Sequence, residues 1–270
     1  MGRVFRNVFL GICVVLWIAP LWLLVVNTIA PADTYAEDSP QWWPDGFGLL
    51  GNLARAWTEA GIGAGFANSV LYAVVCSAVA VLIATMAGFA VVVLPVRRPV
   101  LWFWFIYSGT LFPLQMFLAP LFGMYAESDL YDTQLGLGLV YVALAIPFAF
   151  FVVRNQLTTI PAELTEAAQL DGASWWRIFG SIHLPLMRTA MLAAFAFQFT
   201  WVWNDLLFGI TLARSPQVTP VMAALASLSG NYGSVPTPVI LTGALIVSIP
   251  TIAIFLGFQR AFARGIGASL

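Results

Sequence analysis

Six long apolar stretches, nearly free of charged side chains, constrain this chain more than any other feature of its sequence. A bilayer core about 30 Å thick is crossed by roughly 20 apolar residues in a helix, which satisfies its own backbone hydrogen bonds. With 61% hydrophobic and 9% charged residues, the chain is too apolar for one water-soluble core. We therefore predict an all-α integral membrane protein. The six predicted transmembrane helices are 8–29, 68–94, 100–124, 135–153, 190–212 and 239–258.

Prolines inside these stretches predict that several of the helices are kinked or interrupted. Proline lacks the backbone N–H and clashes with the preceding turn, but membrane helices tolerate it because neighbouring helices satisfy the freed carbonyls. We therefore expect a bundle in which some helices are kinked or interrupted. The prolines concerned are Pro20, Pro113, Pro120, Pro147 and Pro250.

The distribution of arginine predicts which side of the membrane each loop faces. All eleven basic residues are arginines, and six spans place nine of them on one side and two on the other. Because short loops rich in arginine face the cytoplasm, we expect both termini to be cytoplasmic. The nine are Arg3, Arg6, Arg97, Arg98, Arg154, Arg177, Arg188, Arg260 and Arg264, and the two are Arg55 and Arg214.

The pattern of spans and loops also predicts how the chain is organised. Residues 1–66 comprise the first span and an outer loop rich in Pro, Gly and Trp, within which residues 52–60 are expected to form a short interfacial helix. Residues 67–270 form a core of five spans. Inside that core, the connection at residues 155–188 is too long for a simple turn between the fourth and fifth spans.

This long connection carries start and stop signals for a helix of its own. Pro161 suits a first helical turn, and Glu163 and Glu166 complement the positive N-terminal end of a helix. The pair Asp171-Gly172 is typical of a helix end. We therefore predict a helix of about ten residues, roughly 15 Å long.

A second short helix is predicted to follow. Ser174 is a plausible N-cap, and Pro185 is expected to break the helix and redirect the chain into the fifth span. One face of this helix is apolar at i, i+3, i+4 and i+7 spacing. The residues of that face are Trp175, Ile178, Phe179 and Ile182.

The two helices carry a spaced motif, E-A-A, three residues, G, nine residues, I-x-L-P. This motif resembles the EAA motif of the permease subunits of ABC importers. The resemblance implies the type I transmembrane fold and a coupling helix seated in a cleft of a partner ATPase, which transmits nucleotide-driven closure to the spans. By that resemblance the ATPase-coupling residues are Glu166, Ala167, Ala168, Asp171, Gly172, Ile182, Leu184 and Pro185.

Further stretches are similar to the maltose-type carbohydrate permeases. Residues 199–207 contain Trp203-Asn204-Asp205, which is similar to the W-N-D signature in the fifth span of that family. Residues 160–164, 170–173 and 258–265 also resemble its sequence. The C-terminal residues 267–270 depart from the family's usual ending. The resemblance implies import of a sugar across the bacterial plasma membrane. The implied partners are a second homologous permease, two ATPase subunits and an extracytoplasmic solute-binding protein, for which the outer loop at 214–238 is a candidate contact.

A possible substrate path is predicted in the fifth span. Sugars are held by polar side chains and aromatic faces, so Gln198, Trp201, Asn204 and Asp205 are candidates. An acidic group inside a bilayer costs about 2.5–3.5 kcal/mol on insertion scales, so Asp205 must be functional or locally satisfied. Its position near the outer interface favours a structural role such as capping or pairing with a neighbouring helix.

Other classes of membrane protein fit the sequence less well. An ion-coupled transporter needs paired charges near the membrane midplane, where Asp205 is the sole candidate, and an enzyme needs a cluster of catalytic side chains that the single histidine and scattered carboxylates do not offer. We expect His183, at a variable position of the motif, to be structural, and no metal or cofactor to bind this chain. Because no G-x-x-x-x-G-K-[ST] sequence occurs, ATP and Mg are expected on the partner ATPase. A permease for a non-sugar solute remains an alternative.

Overall fold

The computed structural model describes residues 2–35, 41–58, 61–230 and 235–267, and all regular secondary structure within them is helical. The helices in chain order are α1 (Gly2–Ile29), α2 (Leu49–Thr58), α3 (Ile62–Val92), α4 (Pro99–Tyr107), α5 (Leu118–Ala126), α6 (Gln134–Leu157), α7 (Glu163–Leu170), α8 (Trp175–Ile178), α9 (Leu184–Trp203), α10 (Leu207–Leu212), α11 (Val221–Gly230) and α12 (Thr237–Gly267). Short 3₁₀ helices lie at Ser108–Thr110 and Leu114–Phe117, and a π-helical segment lies at Phe179–His183.

The described helices account for the six predicted spans. Five are long and apolar enough to cross a membrane: Gly2–Ile29, Ile62–Val92, Gln134–Leu157, Trp175–Trp203 and Thr237–Phe258. A sixth span results when the bent pair Pro99–Thr110 and Leu114–Ala126 is counted as one. The prediction of an all-α membrane protein is confirmed.

The third span is interrupted, as its prolines allow. Its two halves meet at an angle of 88° between Thr110 and Leu114. Pro113 adopts the extended ψ of 125°, which a helix interior does not allow. Next to the break, a β-carbon on Gly109 would lie 2.7 Å from Cγ of Pro147, so only glycine lets α6 approach this closely.

The fifth span differs from the prediction at both ends. The helix is continuous from Trp175 to Trp203, so the break predicted at Pro185 is wrong. The π-helical segment that precedes α9 widens the turn facing the Pro185 ring, which removes the clash that a regular α-helix would suffer. At the other end α9 stops at Trp203, and Asp205 lies in the gap before α10 rather than inside a span.

The chain forms two compact units, and the first comprises Met1–Gly63 with Ala224–Ile249. In this unit two asparagines hold the outer loop against the end of α1. The side chain of Asn52 donates to the backbone oxygens of Thr28 and Ala30, both at 2.9 Å. The side chain of Asn27 donates to Gln41 O at 2.9 Å. The short helix predicted at 52–60 is observed as α2, and residues 59–60 lie outside the described part of the chain.

The second unit comprises Ala64–Ala223 with Pro250–Leu270. Its main core lies where α3, α6 and α9 meet, and the most extensive helix pair in it is α6 with α9. Alanines at the contact let the helix backbones approach closely, which is how helices associate in a bilayer that offers no hydrophobic driving force. The buried residues of this cluster are Val81, Ala84, Ala149, Phe150, Val153, Leu157, Met187 and Ala194.

Asp132 connects the loop before α6 to the segment after α10. Its carboxylate oxygen Oδ1 accepts hydrogen bonds from the backbone N–H groups of Arg214 at 2.7 Å and Ser215 at 2.9 Å. Its own N–H donates to Leu212 O at 3.1 Å. The residue has φ of 54°, a left-handed conformation that Asp tolerates better than most residues. Burial raises the pKa of the Asp132 carboxyl, but the hydrogen bonds from Ser215 and Arg214 outweigh it and hold this pKa below its ordinary value.

We expect Asp132→Ala to lower the free energy of unfolding by about 1–3 kcal/mol, because two N–H groups lose their acceptor and alanine disfavours a positive φ. Asp132→Asn should lose less, since asparagine keeps an acceptor oxygen and tolerates this conformation. Thermal unfolding midpoints in detergent measure both effects. The pKa of Asp132 is lowered in the folded state. The stability that its carboxylate charge contributes should therefore be present above the unfolded-state pKa of about 3.9 and disappear as the pH falls through the folded-state pKa. A gap between wild type and Asp132→Asn that does not change with pH would contradict this account.

Candidate functional site

The helix α7 projects from the end of α6 and exposes most of its side chains. It starts after a turn in which Glu166 N donates to Ala162 O at 3.1 Å. Thr165 faces inward and is buried, whereas Glu166 is exposed. Leu170 is 90% exposed, so an apolar side chain of this helix is in contact with solvent. The helix therefore presents a mixed acidic and apolar face outward.

Gly172 ends α7 in a Schellman motif. Its N–H donates to Gln169 O, and the N–H of Ala173 donates to Ala168 O, both at 2.9 Å. Gly172 has φ of 73°, and nothing lies within 4 Å of a β-carbon placed on it. The position thus requires glycine for its backbone conformation and not for space. The predicted helix end at Asp171-Gly172 is confirmed.

The second short helix packs against α3. Ser174 is its N-cap, and the Ser174 hydroxyl accepts from Arg177 N at 3.4 Å. Ile178 and Phe179 are buried in a cluster with Phe89, whose ring centroid lies 5.1 Å from that of Phe179. Of the predicted apolar face, Trp175 stays 38% exposed. The first helix is thereby fixed to the bundle through the second.

A buried hydrogen bond joins the two halves of the segment directly. The Thr165 hydroxyl lies 3.0 Å from Nε2 of His183, and the imidazole packs edge-on against Phe89 at 5.1 Å between centroids. His183 is 2% exposed. His183 thus makes a buried contact that joins the two halves of the segment, which is consistent with a structural role. Its partner Thr165 could not be identified from the sequence because hydroxyls at helix surfaces are common.

The eight residues assigned to the motif divide by exposure. The partly buried ones, Ala168, Ile182 and Leu184, pack on the cluster around Phe89. The exposed ones are Glu166, Ala167, Asp171, Gly172 and Pro185. The motif thus combines residues that fix the segment to the bundle with residues that remain free for contact. Sequence reasoning missed Leu170, which lies at a variable position of the motif.

A cavity of about 560 Å³ lies between α7 and the ends of α3 and α6. Glu166, Gln169 and His183 supply its polar wall, and Trp175 and Ile160 lie among its apolar residues. Glu166 thus belongs both to the exposed surface of α7 and to the wall of this cavity.

The candidate substrate residues separate into two pairs. Gln198 and Trp201 line a cavity of about 320 Å³ together with Phe148, Phe197 and the break in the third span. Gln198 is 4% exposed and its side chain donates to Ala145 O at 2.8 Å. This cavity offers aromatic faces beside an amide, a combination suited to a hydroxylated ligand. Part of its wall comes from the interrupted third span, whose contribution to this cavity was not predicted.

Asn204 and Asp205 do not line that cavity. Asn204 is exposed and donates back to Thr200 O at 2.7 Å. The Asp205 carboxylate oxygen Oδ2 accepts from the Tyr141 hydroxyl at 2.9 Å and from Gly209 N at 3.1 Å. These are the pairing with a neighbouring helix and the capping that we expect from the position of Asp205.

The segment after α10 is anchored by side chains of α3. Asn68 donates to the backbone oxygens of Pro216 at 2.9 Å and Thr219 at 3.0 Å, and the Tyr72 hydroxyl donates to Val218 O at 2.9 Å. This segment is the first part of the candidate binding-protein loop at 214–238. The loop also contains α11, and its residues 231–234 lie outside the described part of the chain.

Comparison with known proteins gives matches over most of the chain. The family described as the binding-protein-dependent transport system inner membrane component matches residues 95–268. The osmoprotective compounds uptake permease protein GgtD of Synechocystis sp. is 32% identical over 259 residues, covering 93% of this chain and 86% of that protein. The diacetylchitobiose uptake system permease protein NgcG of Streptomyces coelicolor is 31% identical over 262 residues, covering 94% and 83%.

A solved structure shares the fold. It is a chain of a bacterial ABC transporter involved in the import of the acidic polysaccharide alginate, with a TM-score of 0.77, 20% sequence identity, and coverage of 96% of this chain and 95% of that one. This identity supports a common fold alone. The family match, by contrast, extends over more than half of the chain, and the two relatives exceed 30% identity over most of their lengths. The chain therefore belongs to the inner-membrane permease components of binding-protein-dependent ABC importers.

Proposed function

We propose that this permease imports a sugar, forming half of a translocation pore that a second, homologous permease completes. The observation that carries the proposal is the projecting segment with EAA spacing, which is fixed to the spans on one side and exposed on the other. The relatives support the solute class: NgcG is described as a diacetylchitobiose permease. GgtD is described as carrying osmoprotective compounds, so a small non-sugar solute is the alternative.

In this proposal α7 is the coupling helix and sits in a cleft of a partner ATPase. The exposed Glu166 offers a charge-assisted contact to a basic group, Ala167 allows close approach, and Leu170 supplies an apolar anchor. ATP and Mg bind to two copies of the ATPase, and this chain holds no cofactor. Closure of the ATPase pair then displaces α7 and, through the packed segment, the helix α9.

The proposed orientation follows from the arginines. The segment that carries α7 lies on the same side as nine of the eleven arginines, so we place it and both termini in the cytoplasm of a bacterial plasma membrane. The opposite side, with the anchored segment after α10, faces the solute-binding protein. An ion-coupled mechanism is disfavoured because Asp205, its candidate charge, already has structural partners.

The coupling role predicts which substitutions release the ATPase. Glu166→Ala and Gly172→Ala should each lower the amount of ATPase that co-purifies with the chain, the first by removing a charged contact and the second by disfavouring the φ of 73° by about 1 kcal/mol. The second permease should be retained in both cases. Gly180→Ala is the matched control, since Gly180 is exposed in the same segment and has nothing within 4 Å of an added β-carbon. Purification of the wild type without any ATPase would overturn the proposal.

The hydrogen bond between Thr165 and His183 predicts an energetic coupling within the segment. Thr165→Val and His183→Phe each remove one partner while keeping similar shape, so the double variant should be less destabilised than the sum of the singles by about 0.5–2 kcal/mol. Unfolding in detergent measures this. If the pair positions α7, the ATP hydrolysed per solute transported should also rise in each single variant. Additive destabilisation with an unchanged ratio would contradict a positioning role.

The cavity beside Gln198 predicts the solute contacts. Trp201→Ala should raise the solute concentration for half-maximal uptake, since loss of an aromatic face on a sugar costs about 1–2 kcal/mol, or roughly tenfold. Uptake of labelled disaccharides into proteoliposomes that contain the whole transporter measures the effect. Trp102→Ala is the control, because Trp102 is 52% exposed and is not part of this wall. Equal effects of the two substitutions would count against this solute site.

A further inference from the structure

Arg154 lies near the C-terminal end of α6, and among the residues that the structure describes its charge has no counter-ion. Its guanidinium carbon lies 4.9 Å from the centroid of the Phe103 ring. The Nε atom is buried and has no hydrogen-bond partner within the described residues. In the same part of the chain no carboxylate lies within 4.0 Å of Arg154, since the ion pair found there joins Arg55 and Asp33.

A half-buried guanidinium without an anion is costly. Burial removes water from the charge, and the ring of Phe103 returns only part of the lost free energy. Proteins usually place a carboxylate or a bound anion at such a position. The arrangement around Arg154 therefore indicates a ligand that supplies negative charge from outside the chain.

The space for such a ligand is present. A cavity of about 470 Å³ opens at Arg154, between the ends of α3, α4 and α6. Its polar residues are Arg154 and Thr158, whereas Val100, Phe103 and Trp104 form much of the apolar wall. A small inorganic anion would leave this wall exposed to water. An amphiphile with an anionic head would cover both parts.

The depth of the cavity places it at the membrane surface. Arg154 lies about 30 Å along α6 from Gln134 at 1.5 Å per residue, which is one full crossing of the hydrocarbon core. The exposed Arg97 and Arg98 precede Pro99, which belongs to the wall of the cavity. Arg154 thus lines a cavity at the level of lipid headgroups, and two further arginines immediately precede a residue of its wall.

We propose that this cavity binds an anionic phospholipid. Its phosphate pairs with the terminal N–H groups of the Arg154 guanidinium, and Arg97 and Arg98 add attraction from the turn between α3 and α4. The acyl chain lies along Val100 and Trp104. This site is separate from α7 and does not depend on the identity of the transported solute or on the orientation of the chain in the membrane.

The test compares lipid retention by the full transporter in two kinds of lipid nanodisc, one of phosphatidylglycerol mixed with phosphatidylcholine and one of phosphatidylcholine alone. Native mass spectrometry counts the lipids that stay bound, and thermal unfolding measures stabilisation. The wild type should retain phosphatidylglycerol preferentially and unfold at a higher temperature with it. Arg154→Gln should lower that retention about fivefold, as expected for one arginine at a membrane surface. Arg188→Gln, which removes an exposed arginine outside the cavity, should retain it like the wild type.

Arg154→Lys keeps the charge, so it shows whether lower retention by Arg154→Gln comes from the lost charge or from misfolding. It should restore most of the retention, because a lysine ammonium still pairs with phosphate. Equal retention of phosphatidylglycerol by wild type and Arg154→Gln overturns the proposal. So does stabilisation of the detergent-solubilised wild type by inorganic phosphate alone to the same extent as by phosphatidylglycerol, which would identify the ligand as a free anion.

Discussion

The close packing of α6 on α9 is the contact on which both the segment with α7 and the cavity beside Gln198 depend. Ala149 and Ala194 let the two helices approach, and the pair runs antiparallel, as the hydrogen bonds from Gln198 to Ala145 and from Tyr141 to Asp205 show. The segment with α7 is the connection between these two helices at one end. The cavity lined by Gln198 and Trp201 lies along the same helices. The segment and the cavity therefore share one helix pair.

Much of this architecture could be predicted from the sequence because it follows from composition and local conformation. Apolar stretches of about 20 residues have few alternatives to a membrane helix. Gly172 could be assigned to a turn because an L-residue with a β-carbon disfavours its φ of 73°. The exposed side of α7 followed from the motif, and the structure adds Leu170 to it.

Prolines show how strongly a local signal depends on tertiary surroundings. The break expected at Pro185 is wrong, whereas Pro113, expected to kink or interrupt its helix, lies in the break that divides the third span. In the first case the preceding π-helical turn accommodates the ring, and in the second the close approach of Gly109 to Pro147 favours the bend. Hydrogen bonds between distant residues, such as that of Thr165 with His183, could not be predicted either, because one sequence does not show which surfaces of the helices pack together.

The π-helical segment at Phe179–His183 has a consequence for the rotational phase of the fifth span. A π turn contains one more residue than an α turn, so it sets the angle at which every later side chain leaves the helix. Without that extra residue the rest of α9 would be turned by about 100° about its axis. Met187 and Gln198 would then point away from α6, although the sequence of α9 itself would be unchanged. The motif thus fixes not only where the helix begins but also which way the side chains of α9 face.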